Sequence, residues 1–135
     1  MRAFVDTNVL VYAVDEADAR RRTIARDVLA GHDGGLVVST QVLSEFLVAV
    51  RRLAVPVGAA RALEIVRSLA ASVEVHVPSL ADVLAAGERV LQDGLHHYDA
   101  LIVESALSAG CEVLLTEDLQ DGRRYDRMVV TDPFR

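Results

Sequence analysis

The apolar run Ala3-Phe4-Val5 stops at Asp6-Thr7-Asn8, and the run Val113-Leu114-Leu115 stops at Thr116-Glu117-Asp118. Short apolar runs of this kind read as strands buried on both faces of a parallel sheet, each delivering a carboxylate to one edge. Ligands of open α/β sheets gather at the carboxyl ends of the strands, beside a topological switch point. Two further acids are expected there. Glu45 follows Val42 by three residues and precedes Ala49 by four, so it borders the apolar stripe of a helix. Asp99 precedes Ile102, Val103 and Ala106 by three, four and seven residues, which puts it on a buried stripe in a first helical turn. Taken singly, Asp6 and Asp118 also read as helix caps or turn residues, and Glu45 as a solvated flank. Asp99 is the hardest to set aside. A carboxylate on a buried stripe is costly unless something pairs it, and the helix N-terminus contributes only about 0.3–1 kcal/mol.

Four carboxylates converging on one edge repel one another unless cations bind. Hard oxygen ligands without a Cys or His geometry select Mg²⁺ or Mn²⁺ over zinc. A Mg²⁺ ion held by two or three carboxylates keeps several waters, one of which can be activated as a nucleophile while the ion stabilises charge on a phosphate. The expected chemistry is metal-dependent hydrolysis of a phosphodiester.

The elements that must position these acids follow from periodicity and punctuation. Arg2 to Val5 reads as the first strand, and Asp6 to Val14 as a loop entering a short helical turn. A helix from Asp15 to Ala30 is closed by Gly31, Gly34 and Gly35. Leu36 to Val38 is a second strand. Ser39-Thr40 can cap a helix to about Leu53, with Val42, Leu43, Phe46, Leu47, Val50 and Leu53 facing the core. After Pro56 and Gly58, a helix to about Ala71 has Ala59, Leu63, Val66 and Ala70 on one stripe. Val73 to Val77 is a third strand. Ser79 and Asp82 have capping-box spacing for a helix with Leu80, Val83, Leu84, Gly87, Val90 and Leu91 inward. Gly94 ends it. His97 to Ala109 is the next helix, Glu112 to Thr116 the fourth strand, Gly122 to Asp126 a loop and Met128 to Val130 the last strand. Strands alternating with helices predict an α/β layered domain with a mostly parallel sheet of about five strands and right-handed crossovers.

The whole chain sets bounds. Its 135 residues suit one domain with one core, and 52% hydrophobic content makes disorder unexpected. No apolar run approaches the ~20 residues of a membrane span, and an export signal is lacking at the N-terminus. With Cys111 as the single cysteine, read as core, these features point to a cytoplasmic protein. The net charge of −6 argues against a protein that merely coats nucleic acid. Two bound divalent cations would bring it to −2, which is compatible with a polyanionic substrate. There is no lysine; arginines cluster at Arg20-Arg21-Arg22, Arg51-Arg52 and Arg123-Arg124. Each run also reads as a solvated helix face or a protein contact.

Five segments in order carry a family resemblance: Phe4-Val5-Asp6-Thr7-Asn8-Val9-Leu10-Val11-Tyr12-Ala13, Ser39-Thr40-Gln41-Val42-Leu43-Ser44-Glu45-Phe46, Tyr98-Asp99-Ala100-Leu101-Ile102, Gly110-Cys111-Glu112-Val113-Leu114-Leu115-Thr116-Glu117-Asp118-Leu119 and Asp132-Pro133-Phe134. With these the chain resembles the PIN-domain ribonucleases, in particular VapC-like toxins of toxin–antitoxin pairs. The resemblance implies a three-layer α/β/α domain over residues 1–135 with a five-stranded parallel sheet in order 3-2-1-4-5. It implies that Asp6, Glu45, Asp99 and Asp118 are the catalytic acids and hold Mg²⁺ or Mn²⁺. Thr7 or Asn8, and Thr116, would orient waters or carboxylates. Asp121 is the alternative to Asp118 as the last acid; with Asp118 nearer the strand end, Glu117 is expected to point away. The implied activity is endonucleolytic cleavage of RNA, leaving 5′-phosphate and 3′-hydroxyl ends. The implied partners are an RNA substrate, a small antitoxin whose tail covers the acids, and a second copy in a homodimer.

The remaining residues carry less. Arg20, Arg21, Arg22, Arg123 and Arg124 are the candidate phosphate contacts. Aromatic residues are 4% of the chain and tryptophan is absent, so RNA shape and phosphates should matter more than stacked bases. His96 and His97 precede Asp99 but read as a partly exposed helix start; His32 and His76 have no acids patterned around them, and Tyr12 and Tyr98 read as packing, with flanking the site as the alternative for Tyr98. A phosphatase or phospho-acceptor domain would generally use a lysine near the phosphate, and this chain has none. A non-catalytic module that kept the fold is the other rival.

Overall fold

A computed structural model describes residues 1–32 and 35–135. The strands are β1 Ala3–Val5, β2 Leu36–Ser39, β3 Glu74–His76, β4 Val113–Leu115, β5 Arg124–Tyr125 and β6 Met128–Thr131. They form one sheet in the order β3-β2-β1-β4-β6-β5. The first five in that order run parallel, and β5 is antiparallel to β6. The parallel strands thus keep the expected 3-2-1-4-5 order, with one strand added. Gly122 to Asp126 read as loop, yet Arg124 and Tyr125 fold back on Val129 and Met128. Asp126 makes the turn with φ 52°, a left-handed conformation that Asp tolerates. Two residues are too few to carry an alternation signal.

The helices are α1 Thr7–Tyr12, α2 Ala19–Ala30, α3 Thr40–Ala49, α4 Ala59–Ser72, α5 Leu80–Asp93 and α6 His97–Ser108. Helix α2 starts later than expected because Asp18 caps it, accepting from the Arg21 N–H. Gly31 ends it; the expected part of Gly34 lies outside the described residues. Ser39 caps α3 by accepting from the Val42 N–H, and α3 passes into a 3-10 turn at Val50–Arg52. Ser79 and Asp82 form the capping box that their spacing predicts. Gly94 closes α5 at φ 70°. Helices α1 to α4 pack among themselves and α5 packs on α6. With this strand order, the usual right-handed crossover would put two such groups on opposite faces of the sheet.

The core lies along the parallel strands: Phe4, Val5, Val37, Val38, Leu114 and Val130 are buried, with Val9, Val42, Phe46, Ile102 and Val103 packed from the helices. Cys111 is buried among them, as expected, and burial pushes its thiol up to about 11. Among the described residues no helix is long and apolar enough to cross a membrane.

Two helices turn differently from their patterns. On α4 the inward side is Ala62 with Ile65, Val66 and Leu69, while Ala59, Leu63 and Ala70 face solvent. On α5 the departure is larger. Leu80, Leu84 and Leu91, expected inward, are 74%, 61% and 87% exposed. The opposite side packs instead: Ala86 lies against Ala100 and Leu101 of α6. Asp82 is buried on that side because it is fully bonded. Its Oδ2 accepts from the Ser79 N–H at 3.0 Å and meets His76 Nε2 at 2.8 Å, and the Ser108 hydroxyl donates to Oδ1. Burial raises the Asp82 pKa, but these partners outweigh it and hold the carboxyl below its ordinary value. His76 therefore has an acid partner after all, six residues on and across an element boundary. Helical spacing says which residues share a face; it does not say which face the core takes.

This orientation is checked by two truncations. Leu114→Ala removes a fully buried side chain and should destabilise the protein by about 2–5 kcal/mol. Leu84→Ala, measured at a protein concentration that keeps the chain monomeric, should change stability by no more than about 0.5 kcal/mol, as at an exposed site. Urea denaturation measured on both variants decides it; equal losses would mean that the α5 stripe is buried.

Candidate metal centre at the strand ends

Strands β1 and β4 pair in register, with Val5 opposite Leu115. Their next residues, Asp6 and Thr116, therefore emerge side by side. The ladder carries on past both: the Asp6 N–H donates to Leu115 O at 3.0 Å, and the Thr116 N–H to Thr131 O at 3.1 Å. The chain leaves β1 toward β2 on one side and returns to β4 on the other, so this is the switch point of the sheet.

Asp6 is 4% exposed and uses its oxygens differently. Oδ1 accepts from the Thr7 N–H at 2.7 Å and caps α1. Oδ2 accepts from the Thr116 hydroxyl at 2.8 Å and from Asn8 Nδ2 at 3.4 Å. The cap reading and the site reading are both true of one carboxyl group. The Thr116 hydroxyl is fully engaged: it donates to Asp6 and accepts from the Asp118 N–H and from Asn8 Nδ2, each at 3.0 Å. Asn8 Nδ2 also donates to Asp118 Oδ2 at 3.1 Å. One side-chain amide nitrogen thus lies within hydrogen-bond reach of two carboxylates.

Glu45 enters from α3. Its Oε2 accepts from the Thr7 hydroxyl at 2.9 Å and its Oε1 from Gln41 Nε2 at 2.7 Å. Gln41 also donates to Tyr98 O at 3.2 Å, which ties α3 to the start of α6. Gln41 was not singled out from the sequence, although its place four residues before Glu45 is the spacing that lets helical side chains meet. Asp99 is half-buried in the first turn of α6, on the stripe of buried Ile102, Val103 and Ala106.

The electrostatics join all four acids. Burial, then the charges of Asp118 and Glu45, push Asp6 up to about 7 against the Thr116 and Thr7 hydrogen bonds. Burial first, then Asp118 and Glu45, also raise Asp99, while His96 opposes. The charges of Asp118 and Glu45 thus act on both Asp6 and Asp99, which places these acids near one another.

Other candidate residues fall elsewhere. Asp121 is exposed and accepts from the Asp132 N–H at 2.8 Å, so it closes a loop outside this cluster. Glu117 does not point away: it accepts from the Tyr12 hydroxyl at 2.8 Å and lies 4.0 Å from Arg21 Nε. Together with Asp118, Glu45, Thr7, Asn8, Val11, Tyr12, Ala49 and Leu53 it lines a groove of about 460 Å³. Tyr12 packs edge-on against Phe134 as expected of a packing residue, and holds Glu117 as well. Of the candidate arginines, Arg20 donates to Phe134 O, Arg21 pairs with Asp18, Arg22 with Glu16 and Arg123 with Asp93. Arg124 is exposed on β5.

The donor set at the strand ends is all oxygen, which suits Mg²⁺ or Mn²⁺. Among the described residues no three Asp, Glu, His or Cys side chains stand close enough to share one ion as placed. Mg²⁺ does not need such a cage, because it is commonly held through one or two carboxylates with waters completing the shell. Asp6 and Asp118, bridged by Asn8, and Glu45 beside Thr7 offer that kind of site.

The PIN domain family model matches residues 3–127, and the chain belongs to that family. Its fold is that of solved VapC toxins and their complexes. The VapC20 toxin of Mycobacterium tuberculosis, a sarcin–ricin loop cleaving toxin, superposes with a TM-score of 0.69 at 20% identity, over 83% of this chain and 86% of that one. VapBC-1 of nontypeable Haemophilus influenzae gives 0.69 at 20% identity, over 100% of both chains. A toxin–antitoxin complex of Klebsiella pneumoniae gives 0.72 at 18% identity, over 97% of both. A comparison with curated protein sequences returns no match.

The raised Asp6 pKa makes a pH prediction for metal-free protein. Between about pH 4 and 7 the folded chain holds a proton that the unfolded chain has released. Stability should therefore fall as pH rises through this window, by at most about 1.4 kcal/mol per pH unit from this one group. Asp18 and Asp82, held low, contribute the opposite slope only below the ordinary carboxylate range. Asp99, also raised, adds to the same slope as Asp6. Urea midpoints in EDTA from pH 4.5 to 8 should show the decline, and Asp6→Asn should reduce it. A wild-type midpoint that rises steadily to pH 8 would count against a crowded, uncompensated carboxyl.

Proposed function

We propose that this chain is a divalent-metal-dependent endoribonuclease and the toxin of a toxin–antitoxin pair. The observation that carries the reading is the pair Asp6 and Asp118 bridged by Asn8 at the switch point of the sheet, with Glu45 held beside it by Thr7, and with Asp6 and Asp99 both raised by burial and by the charges of Asp118 and Glu45. Asp6, Glu45, Asp99 and Asp118 would hold Mg²⁺ or Mn²⁺. When bound, the ion supplies a Lewis acid for the phosphate and lowers the pKa of a coordinated water.

The protein's own residues do the positioning. Thr116 and Asn8 fix the rotamers of Asp6 and Asp118, while Thr7 and Gln41 fix Glu45. Asp6 must give up its proton before it can act as a ligand, so loading is favoured by rising pH. The solved relatives include a toxin that cleaves the sarcin–ricin loop and complexes with antitoxins, which supports RNA as substrate and an antitoxin as partner here. The groove over the acids has apolar walls at Val11, Ala49 and Leu53. It suits the tail of a small protein that would cover the acids. The exposed Leu80, Leu84 and Leu91 stripe supports a homodimer through α5.

Purified protein with RNA and Mg²⁺ should yield fragments with 5′-phosphate and 3′-hydroxyl ends. Asp6→Asn and Asp99→Asn should abolish cleavage with the circular dichroism spectrum unchanged. Thr116→Ala and Asn8→Ala, which disturb orientation only, should slow it about 10- to 100-fold. Wild-type cleavage rates in Asp6→Asn would refute the reading. Intact RNA together with no Mn²⁺ binding by calorimetry would favour a non-catalytic module of the same fold.

A further inference from the structure

We infer that Arg51 and Arg52 form a phosphate-binding track that guides an RNA backbone along α3 to the acids, an inference that rests on the ribonuclease reading. The arginine runs differ in their bonding. Every member of Arg20-Arg21-Arg22 is tied down, to Phe134 O, Asp18 and Glu16, and Arg123 is held by Asp93. Its guanidinium also lies 4.7 Å from the centre of the Tyr125 ring. Among the described residues Arg51-Arg52 is the run in which neither member has an acid partner, and both are exposed.

Their place gives these two charges direction. The groove over the acids is lined by Glu45 and Ala49. A second depression of about 410 Å³ shares Glu45 and Ala49 with it and continues over Ser44 and Val48 to Arg52. A third, of about 340 Å³, is lined by Val48, Arg51 and Arg52. The three are neighbours, sharing Glu45 and Ala49 and then Val48 and Arg52, and so form a row, a shallow trough past α3 and the turn that follows it. Glu45 and Arg52 are seven residues apart, roughly 10 Å along a helix axis. Arginine suits such a track because its guanidinium presents paired donors to phosphate oxygens. The need is physical: a chain of net charge −6 repels a polyanion unless positive charge lines the approach. A divalent ion would supply that charge at the centre of the acids, and the trough supplies it on the way in.

The test is steady-state cleavage of a fluorescein-labelled RNA hairpin in Mg²⁺ across a KCl series, for wild type and Arg51→Gln/Arg52→Gln. The variant should raise KM about fivefold or more with kcat nearly unchanged. It should also reduce the slope of log(kcat/KM) against log[KCl] by about 1.4–1.8, two phosphate contacts' worth. Unchanged KM and slope overturn this inference and leave the ribonuclease reading standing, whereas a wild type that cuts no RNA overturns both. A lower melting midpoint with the full salt slope would assign the arginines to the helix C-terminus that they follow. Loss of a co-expressed protein partner with the full salt slope would assign them to a protein contact. Either result overturns the track.

Discussion

Carboxylates packed at one end of a parallel sheet repel one another, and much of this molecule answers that repulsion. Asp6 is nearly enclosed and raised to about 7, Asp99 is raised with it, and Asp118 and Glu45 contribute to both shifts. Neutral donors supply the compensation. Thr7, Asn8, Gln41 and Thr116 turn hydroxyl or amide hydrogens toward the acids, and arginine stays at the margin beside Glu117. Fixed cations paired directly with the acids would cancel the charge a metal needs; neutral donors orient the oxygens and leave them electron-rich.

The sheet register makes that arrangement possible. Pairing Val5 with Leu115 sets Asp6 against Thr116 without any long-range side-chain contact being required first. The turn after β4 then swings Asp118 back by bonding its N–H to the Thr116 hydroxyl. Glu45 and Asp99 arrive on helices, and Gln41 links the two elements by bonding Glu45 and the Tyr98 carbonyl. The centre is thus carried on rigid elements, with loop geometry entering at Asp118.

The surface is where charge and apolarity were most easily misread. The arginine triplet Arg20 to Arg22 is as basic as any stretch of the chain, yet Asp18, Glu16 and the Phe134 carbonyl occupy it. The α5 stripe is as apolar and periodic as the inward face of α3, yet α5 turns Ala86 and the bonded Asp82 inward. A small residue permits close helix approach, and a carboxyl group with three partners tolerates burial. Together these decide the rotation of a helix that has apolar residues on more than one side.

How much was legible follows from the range of each signal. Strand ends, caps and helix stops are local, so Asp6 after Val5, the Ser39 cap, the Ser79–Asp82 box and the stop at Gly94 could all be read from neighbours in the chain. The four acids and their hard-oxygen chemistry are legible in the same way, whereas the strand order came only with the family resemblance, because pairing β1 with β4 joins residues more than a hundred positions apart. The two-residue strand β5, the outward turn of α5, the Glu117–Tyr12 bond and the choice between Asp118 and Asp121 as neighbour of Asn8 depended on which surfaces meet. Sequence spacing fixes the direction of a side chain relative to its own element. Only packing sets the rotation of one element against another, because that rotation is chosen by contacts between residues as far apart as Asn8 and Asp118.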